Sequence, residues 1–105
     1  MYRIGFTNKF KKDARQCKKR GYDTNLLDTV VEQLMKTGHV EEKYIPHHLE
    51  NDYSNHWECH IKPDWLLIWK RVNFDFSVDN EDDTDFYETD YEIVLVRTGT
   101  HSDLF

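Results

Sequence analysis

Three short stretches of the chain hold side chains able to do acid–base chemistry on a phosphodiester. The first is His47-His48-Leu49, the second runs from His56 through His60 and Asp64 to Trp65, and the third is the C-terminal run Arg97-Thr-Gly-Thr-His101-Ser-Asp-Leu-Phe105. Cleaving RNA without a metal requires a base to take the 2′-hydroxyl proton, an acid to protonate the 5′-oxygen and cations to stabilise the charged phosphorane. Imidazole suits both proton roles, and a nearby carboxylate such as Asp64 can orient the ring or act as base itself. Arg97 offers a planar fork for phosphate oxygens, while Phe105 and Trp65 offer faces on which an unstacked base can rest. RNA rather than DNA follows from the need for a 2′-hydroxyl nucleophile. This chemistry calls for no cofactor and no metal.

Each of these residues also has a plainer reading. A strand histidine is usually solvated, Trp65 is more often a core indole than a stacking platform, Arg97 is as plausible in a salt bridge, and a C-terminal Phe commonly anchors a core. A metal site is the chemical rival: His56 and His60 share one strand face, with His47 or His48 to complete a set. No Cys-x-x-Cys or His-Glu-x-x-His spacing supports it, and no Walker loop, glycine-rich dinucleotide turn or Gly-x-Ser-x-Gly elbow points to another enzyme class. Glu58 and His56 read as surface residues without a role.

The elements that must position these groups are legible in the periodicity. Tyr2 to Phe6 is a strand candidate. Thr7 or Asn8 then caps a helix that ends before Gly21, with Phe10, Ala14 and Cys17 on one face. Asp23 caps a second helix in which Leu26, Leu27, Val30, Val31, Leu34 and Met35 recur at helical spacing, closed by Gly38. The two predict an αα-hairpin, followed by a loop over residues 39–53. Antiparallel sheet accounts for the remainder. From Asn55 to Ile61 a period of two separates Trp57, Cys59 and Ile61 from His56, Glu58 and His60, which puts the imidazoles on one face. Pro63-Asp64 turns into an apolar strand from Trp65 to Val72, and a last strand runs from about Tyr91 to Arg97.

At 105 residues the chain is read as one α+β domain, residues 1–105, able to fold without disulfides or metal. Cys17 and Cys59 read as reduced, buried thiols. The N-terminus lacks a signal-peptide stretch and no apolar run approaches the ~18 residues of a membrane helix, which predicts a cytoplasmic protein with no membrane partner. The formal charge of −6 is unevenly placed. Residues 73–92 hold nine acids and no Lys or Arg, so the rest carries fourteen bases against eleven acids. Half of those bases, Lys9, Lys11, Lys12, Arg15, Lys18, Lys19 and Arg20, form one run that is either a solvated helix face or a phosphate footprint. Alternation of Phe74, Phe76 and Val78 with polar residues predicts that the acidic segment is a long hairpin with a disordered tip near 80–84.

The combination of His47-His48-Leu49, His60-Ile-Lys-Pro-Asp64-Trp65 and Arg97-Thr-Gly-Thr-His101-Ser-Asp-Leu-Phe105 resembles the YafQ-type toxins of the RelE/ParE superfamily, over nearly the whole chain. The resemblance implies a small RelE-like, microbial-ribonuclease-like α+β fold. It also implies a ribosome-dependent endoribonuclease that cuts mRNA, arrests translation and is neutralised by a cognate antitoxin, expected to be of the ribbon-helix-helix type. On this chain the implied catalytic set is His47, His60, Asp64 and His101, supported by Arg97 and Phe105. Of these, His101 is taken as general acid and His47 as general base, or the reverse, and His48 stands beside His47 as an alternative. The acidic segment departs from the basic character of such toxins. It is expected to project from the sheet, to mimic phosphate against the basic helix, or to dock a partner. The alternatives are a non-catalytic binding module on the same fold and the histidine metal site.

Overall fold

β1 (Ile4–Phe6) opens the chain in the computed structural model, which describes residues 1–50, 55–72 and 91–105. Thr7 then leaves the strand in extended conformation, and its hydroxyl accepts the Phe10 N–H at 2.9 Å, capping α1 (Asn8–Lys19). The same hydroxyl donates to the Val96 carbonyl at 2.8 Å, so one buried threonine both starts the helix and ties it to the sheet. Asp23 caps α2 (Thr24–Thr37) through the Asn25 N–H at 3.0 Å, and Gly38, at φ 77°, closes it in the left-handed conformation. A Cβ at Gly38 would sit 2.8 Å from the Tyr2 ring, so this position needs glycine on packing grounds as well.

A 3₁₀ turn (Glu42–Tyr44) leads to β2 (His47–His48), then β3 (His56–Lys62), β4 (Trp65–Arg71), β5 (Ile93–Gly99) and the one-turn helix α3 (His101–Leu104). The sheet order is β1-β5-β4-β3-β2, with β1 parallel to β5 and every other pair antiparallel. In β4 the period of two sends Trp65, Leu67 and Trp69 into the core beneath the helices, together with Phe10, Cys17, Leu27, Val30 and Leu34. Leu66 and Ile68 face the other way, into a smaller cluster with Val94, Val96 and Leu104. A strand apolar on both faces must be central, and β4 is. Each fully buried Leu, Ile or Val contributes about 1.5–3 kcal/mol of transfer free energy, the term that holds the helices on the sheet.

The α+β architecture, both helix caps and the Pro63-Asp64 turn agree with expectation; the differences have local causes. Strand one is shorter than read and lies parallel to β5, giving a mixed sheet. Both helices rest on the sheet, α1 against β5 and α2 against β3. The expected loop includes the 3₁₀ turn and β2, because pairing with β3 satisfies its backbone. The last strand begins two residues later and ends two later than read, at Gly99. Most of the acidic segment, residues 73–90, lies outside the described residues, as do 51–54. At its base the Val72 N–H donates to the Glu92 carbonyl at 2.9 Å. Among the described residues no helix is long and apolar enough to cross a membrane.

Candidate active site

The alternation of β2 and β3 brings the histidines together. His47 pairs with Glu58 and His48 with Trp57, so neighbouring residues of β2 point to opposite faces. The His48 ring lies tilted against the Trp57 ring, their centres 3.8 Å apart, whereas His47 turns toward Glu58 and His60. Register thereby puts His47, and not His48, on the His60 side.

The Glu58 carboxylate, only 4% exposed, sits between two imidazoles: Oε1 lies 3.1 Å from His47 Nε2 and 4.0 Å from His60 Nε2. Its surface assignment from sequence was wrong, and the reason is that β2 covers the edge of β3. The far nitrogen of His47 faces the Ile45 carbonyl at 3.0 Å. A carbonyl only accepts, so Nδ1 carries a proton; Nε2 must carry one too if it is to donate to an ionised Glu58. Both His47 ring nitrogens are therefore engaged with oxygen partners.

His60 is bonded differently. Its Nδ1 donates to the Pro63 carbonyl at 3.2 Å, inside the β3–β4 turn, while Nε2 faces the cluster, 4.0 Å from Glu58 Oε1. His101 enters from the opposite side, at the start of α3. Asp64 Oδ1 accepts the His101 backbone N–H at 3.1 Å and lies 3.3 Å from its Nδ1. The His60 and His101 ring centres are 6.2 Å apart, those of His47 and His60 6.1 Å, and Phe105 lies 6.1 Å beyond His101. The row is thus Phe105, His101, His60, His47, with His101 and Phe105 well exposed at one end and His60 partly sheltered.

Two expected contributors are placed otherwise. Trp65 is 2% exposed, its indole N–H donating to Thr98 Oγ1 at 2.9 Å and its ring edge-on to Tyr22 at 4.9 Å. No face of it is open to stack a base, because β4 lies at the centre of the sheet. The Arg97 fork holds Asp13 of α1 through Nε at 2.6 Å and Nη2 at 3.2 Å, joining α1 to β5, so the expected phosphate fork is already bidentate to a carboxylate. Asp13 carries no local sequence signal, being 84 residues away. His56, proposed for a metal set, lies outside the group that gathers: His47, Glu58 and His60 offer ligand atoms all within 4.8 Å of one another.

α3 is held by a capping box. Thr100 Oγ1 accepts the Asp103 N–H at 3.1 Å, and Asp103 Oδ2 accepts the Thr100 N–H at 3.0 Å. The Thr-x-x-Asp spacing was a readable signal for this helix. Gly99 precedes it at φ 154°, where an added Cβ would come within 2.9 Å of Asp103 Oδ2. Gly99→Ala is expected to cost about 1–3 kcal/mol, the usual range for a strained backbone position, measurable by chemical denaturation. Both cysteines are free and buried; burial, and next the Glu58 charge, push the Cys59 thiol up to about 12.

The small α+β architecture is that of the bacterial toxins whose solved structures it resembles. The toxin in the E. coli DinJ-YafQ complex matches at 25% identity with a TM-score of 0.74, over 100% of this chain and 99% of that one. A metal-bound toxin from Helicobacter pylori matches at 33% identity with a TM-score of 0.73 and complete coverage of both chains. In sequence, the mRNA interferase toxin YafQ of E. coli strain B is 29% identical over 103 residues, 97% of this chain and 94% of that protein. The family model for bacterial toxins of type II toxin-antitoxin systems, YafQ, matches residues 2–105, and the chain belongs to that family.

Proposed function

We propose that this toxin is an mRNA interferase, a ribosome-dependent endoribonuclease that cleaves mRNA by acid–base catalysis and stops translation. The observation that carries the reading is the facing pair His60 and His101, 6.2 Å apart, each with Nδ1 occupied by a fixed oxygen acceptor and each able to present Nε2 to a bound phosphodiester. His60 takes the 2′-hydroxyl proton as the oxygen attacks phosphorus, and His101 protonates the departing 5′-oxygen. Asp64 orients His101. His47, with both nitrogens engaged, fits a fixed positive charge beside the developing phosphorane better than the base role expected from the resemblance. Phe105, 64% exposed, stacks a neighbouring base.

This assignment fixes the products: a 2′,3′-cyclic phosphate on one fragment and a 5′-hydroxyl on the other. End analysis of mRNA cut on programmed ribosomes tests it, and a 3′-hydroxyl with a 5′-phosphate would rule it out. The partners that follow are the ribosome, its mRNA and a cognate antitoxin in the cytoplasm, with the ribbon-helix-helix type still our expectation for the antitoxin.

The cluster His47, Glu58 and His60 favours a second, compatible reading. Two imidazoles and a carboxylate suit Zn²⁺ or Cu²⁺, and the Helicobacter pylori relative is a metal-bound toxin. A cation held there would occupy the Nε2 lone pair that His60 needs as base, so metal would silence the nuclease rather than serve it. Added Zn²⁺ is expected to inhibit cleavage with one equivalent bound, EDTA to restore it, and Glu58→Gln to weaken the binding. Activity that requires the metal would reverse the assignment.

A further inference from the structure

We infer that Arg20, at the C-terminal end of α1, is a positioning residue that holds the general acid His101 in place through Asp103; the inference rests on the nuclease reading above. The guanidinium meets the Asp103 carboxylate with both arms, Nη1 to Oδ2 at 2.6 Å and Nη2 to Oδ1 at 3.1 Å, across 83 residues of sequence. Asp103 in turn closes the capping box of α3 through Thr100. His101 is the first residue of that helix, one turn long.

A single helical turn has no stability of its own, because nucleation fixes several residues for one hydrogen bond. Its direction must come from outside. Leu104, 7% exposed, anchors it on the apolar side and Asp64 receives the His101 N–H on another. The Arg20 fork supplies the remaining constraint, and a bidentate guanidinium–carboxylate pair constrains orientation as well as distance. Arg20 is itself fixed, since its backbone N–H caps α1 on the Gln16 and Lys18 carbonyls. The Arg20 guanidinium, and next the Thr100 N–H, hold the Asp103 carboxyl well below the usual carboxylate range. A carboxyl so depressed is already ionised below its ordinary pKa, so the pair stays charged throughout the pH range in which imidazoles exchange protons. Arg20 thus leaves the basic run of α1, which sequence alone offered as a phosphate footprint, and acts on geometry.

The test compares wild type, Arg20→Ala, Arg20→Lys and Lys19→Ala in single-turnover and steady-state cleavage on programmed ribosomes. Positioning predicts that Arg20→Ala lowers kcat about tenfold with KM within about twofold, that Arg20→Lys restores part of the loss, and that Lys19→Ala leaves kcat unchanged. Asp103→Asn should cost a similar factor, and the double variant no more than either single one. ¹⁵N signals of the His101 ring supply a readout independent of RNA. In wild type the ring favours the Nδ1–H tautomer directed at Asp64, and Arg20→Ala is expected to lose that bias while His60 keeps its own. A rise in KM with kcat unchanged would make Arg20 a phosphate contact and overturn the proposal, as would an unaltered His101 ring signature. Should the wild-type chain cut no RNA, the nuclease reading fails, and the ring signature alone decides whether Arg20 orders His101.

Discussion

His101→Ala is expected to reduce mRNA cleavage by about 10²-fold or more, the scale of one general acid. The side chain is exposed and its ring contacts are with Asp64 at 3.3 Å and, more loosely, with the His60 and Phe105 rings. Its removal therefore touches little of the core, and the folded fraction should be unchanged. A single-turnover rate separates loss of chemistry from loss of binding: the account requires the rate constant to fall while half-saturation by ribosomes stays put. Asp64→Asn should follow in the same direction with a smaller effect, since an amide oxygen can still accept the His101 backbone N–H but carries no charge to support the imidazolium.

The second large effect is expected at Glu58. Glu58→Gln preserves shape inside a site that is 4% exposed but removes the charge that pairs with His47. If His47 acts as a fixed cation beside the phosphorane, cleavage should fall by about 10²-fold, comparable with loss of one preorganised donor to a developing oxyanion. His47→Gln should cost a similar factor, and the two together little more, because they remove one shared charge pair. Full activity in Glu58→Gln would return Glu58 to a structural role and leave His47 without its partner. The burial of Glu58 means that this variant must be checked by thermal unfolding, where Gln, still able to hydrogen-bond, is expected to lose no more than about 1–3 kcal/mol.

Helix α2 and strand β4 were legible because their patterns are local: Leu27, Val30 and Leu34 repeat along one helix face, and Trp65 to Trp69 is apolar on both faces of a strand. The caps Thr7 and Asp23 and the closing Gly38 were legible for the same reason. Parallel pairing of β1 with β5 was not, since it joins residues about 90 positions apart and nothing local encodes it. The site divides along the same line. His60 and His101 stand out by residue type and motif, and the strand register puts His47 rather than His48 beside His60. Glu58 was on the His60 face by simple alternation, yet its burial depends on β2 folding over it. The Arg97–Asp13 and Arg20–Asp103 pairs span 84 and 83 residues, so neither acidic partner is marked by any local pattern. Trp65 misled for a related reason: an indole beside the Pro63-Asp64 turn looks like a platform until the strand it begins proves to be the centre of the sheet.

The most direct test of the central claim is cleavage of mRNA by the purified chain on programmed ribosomes, with naked mRNA and the His101→Ala protein run beside it. The account predicts cutting that needs both the ribosome and His101 and leaves a 2′,3′-cyclic phosphate; equal cutting by His101→Ala, or none by folded wild-type protein, would contradict it and leave a toxin fold that acts by binding alone.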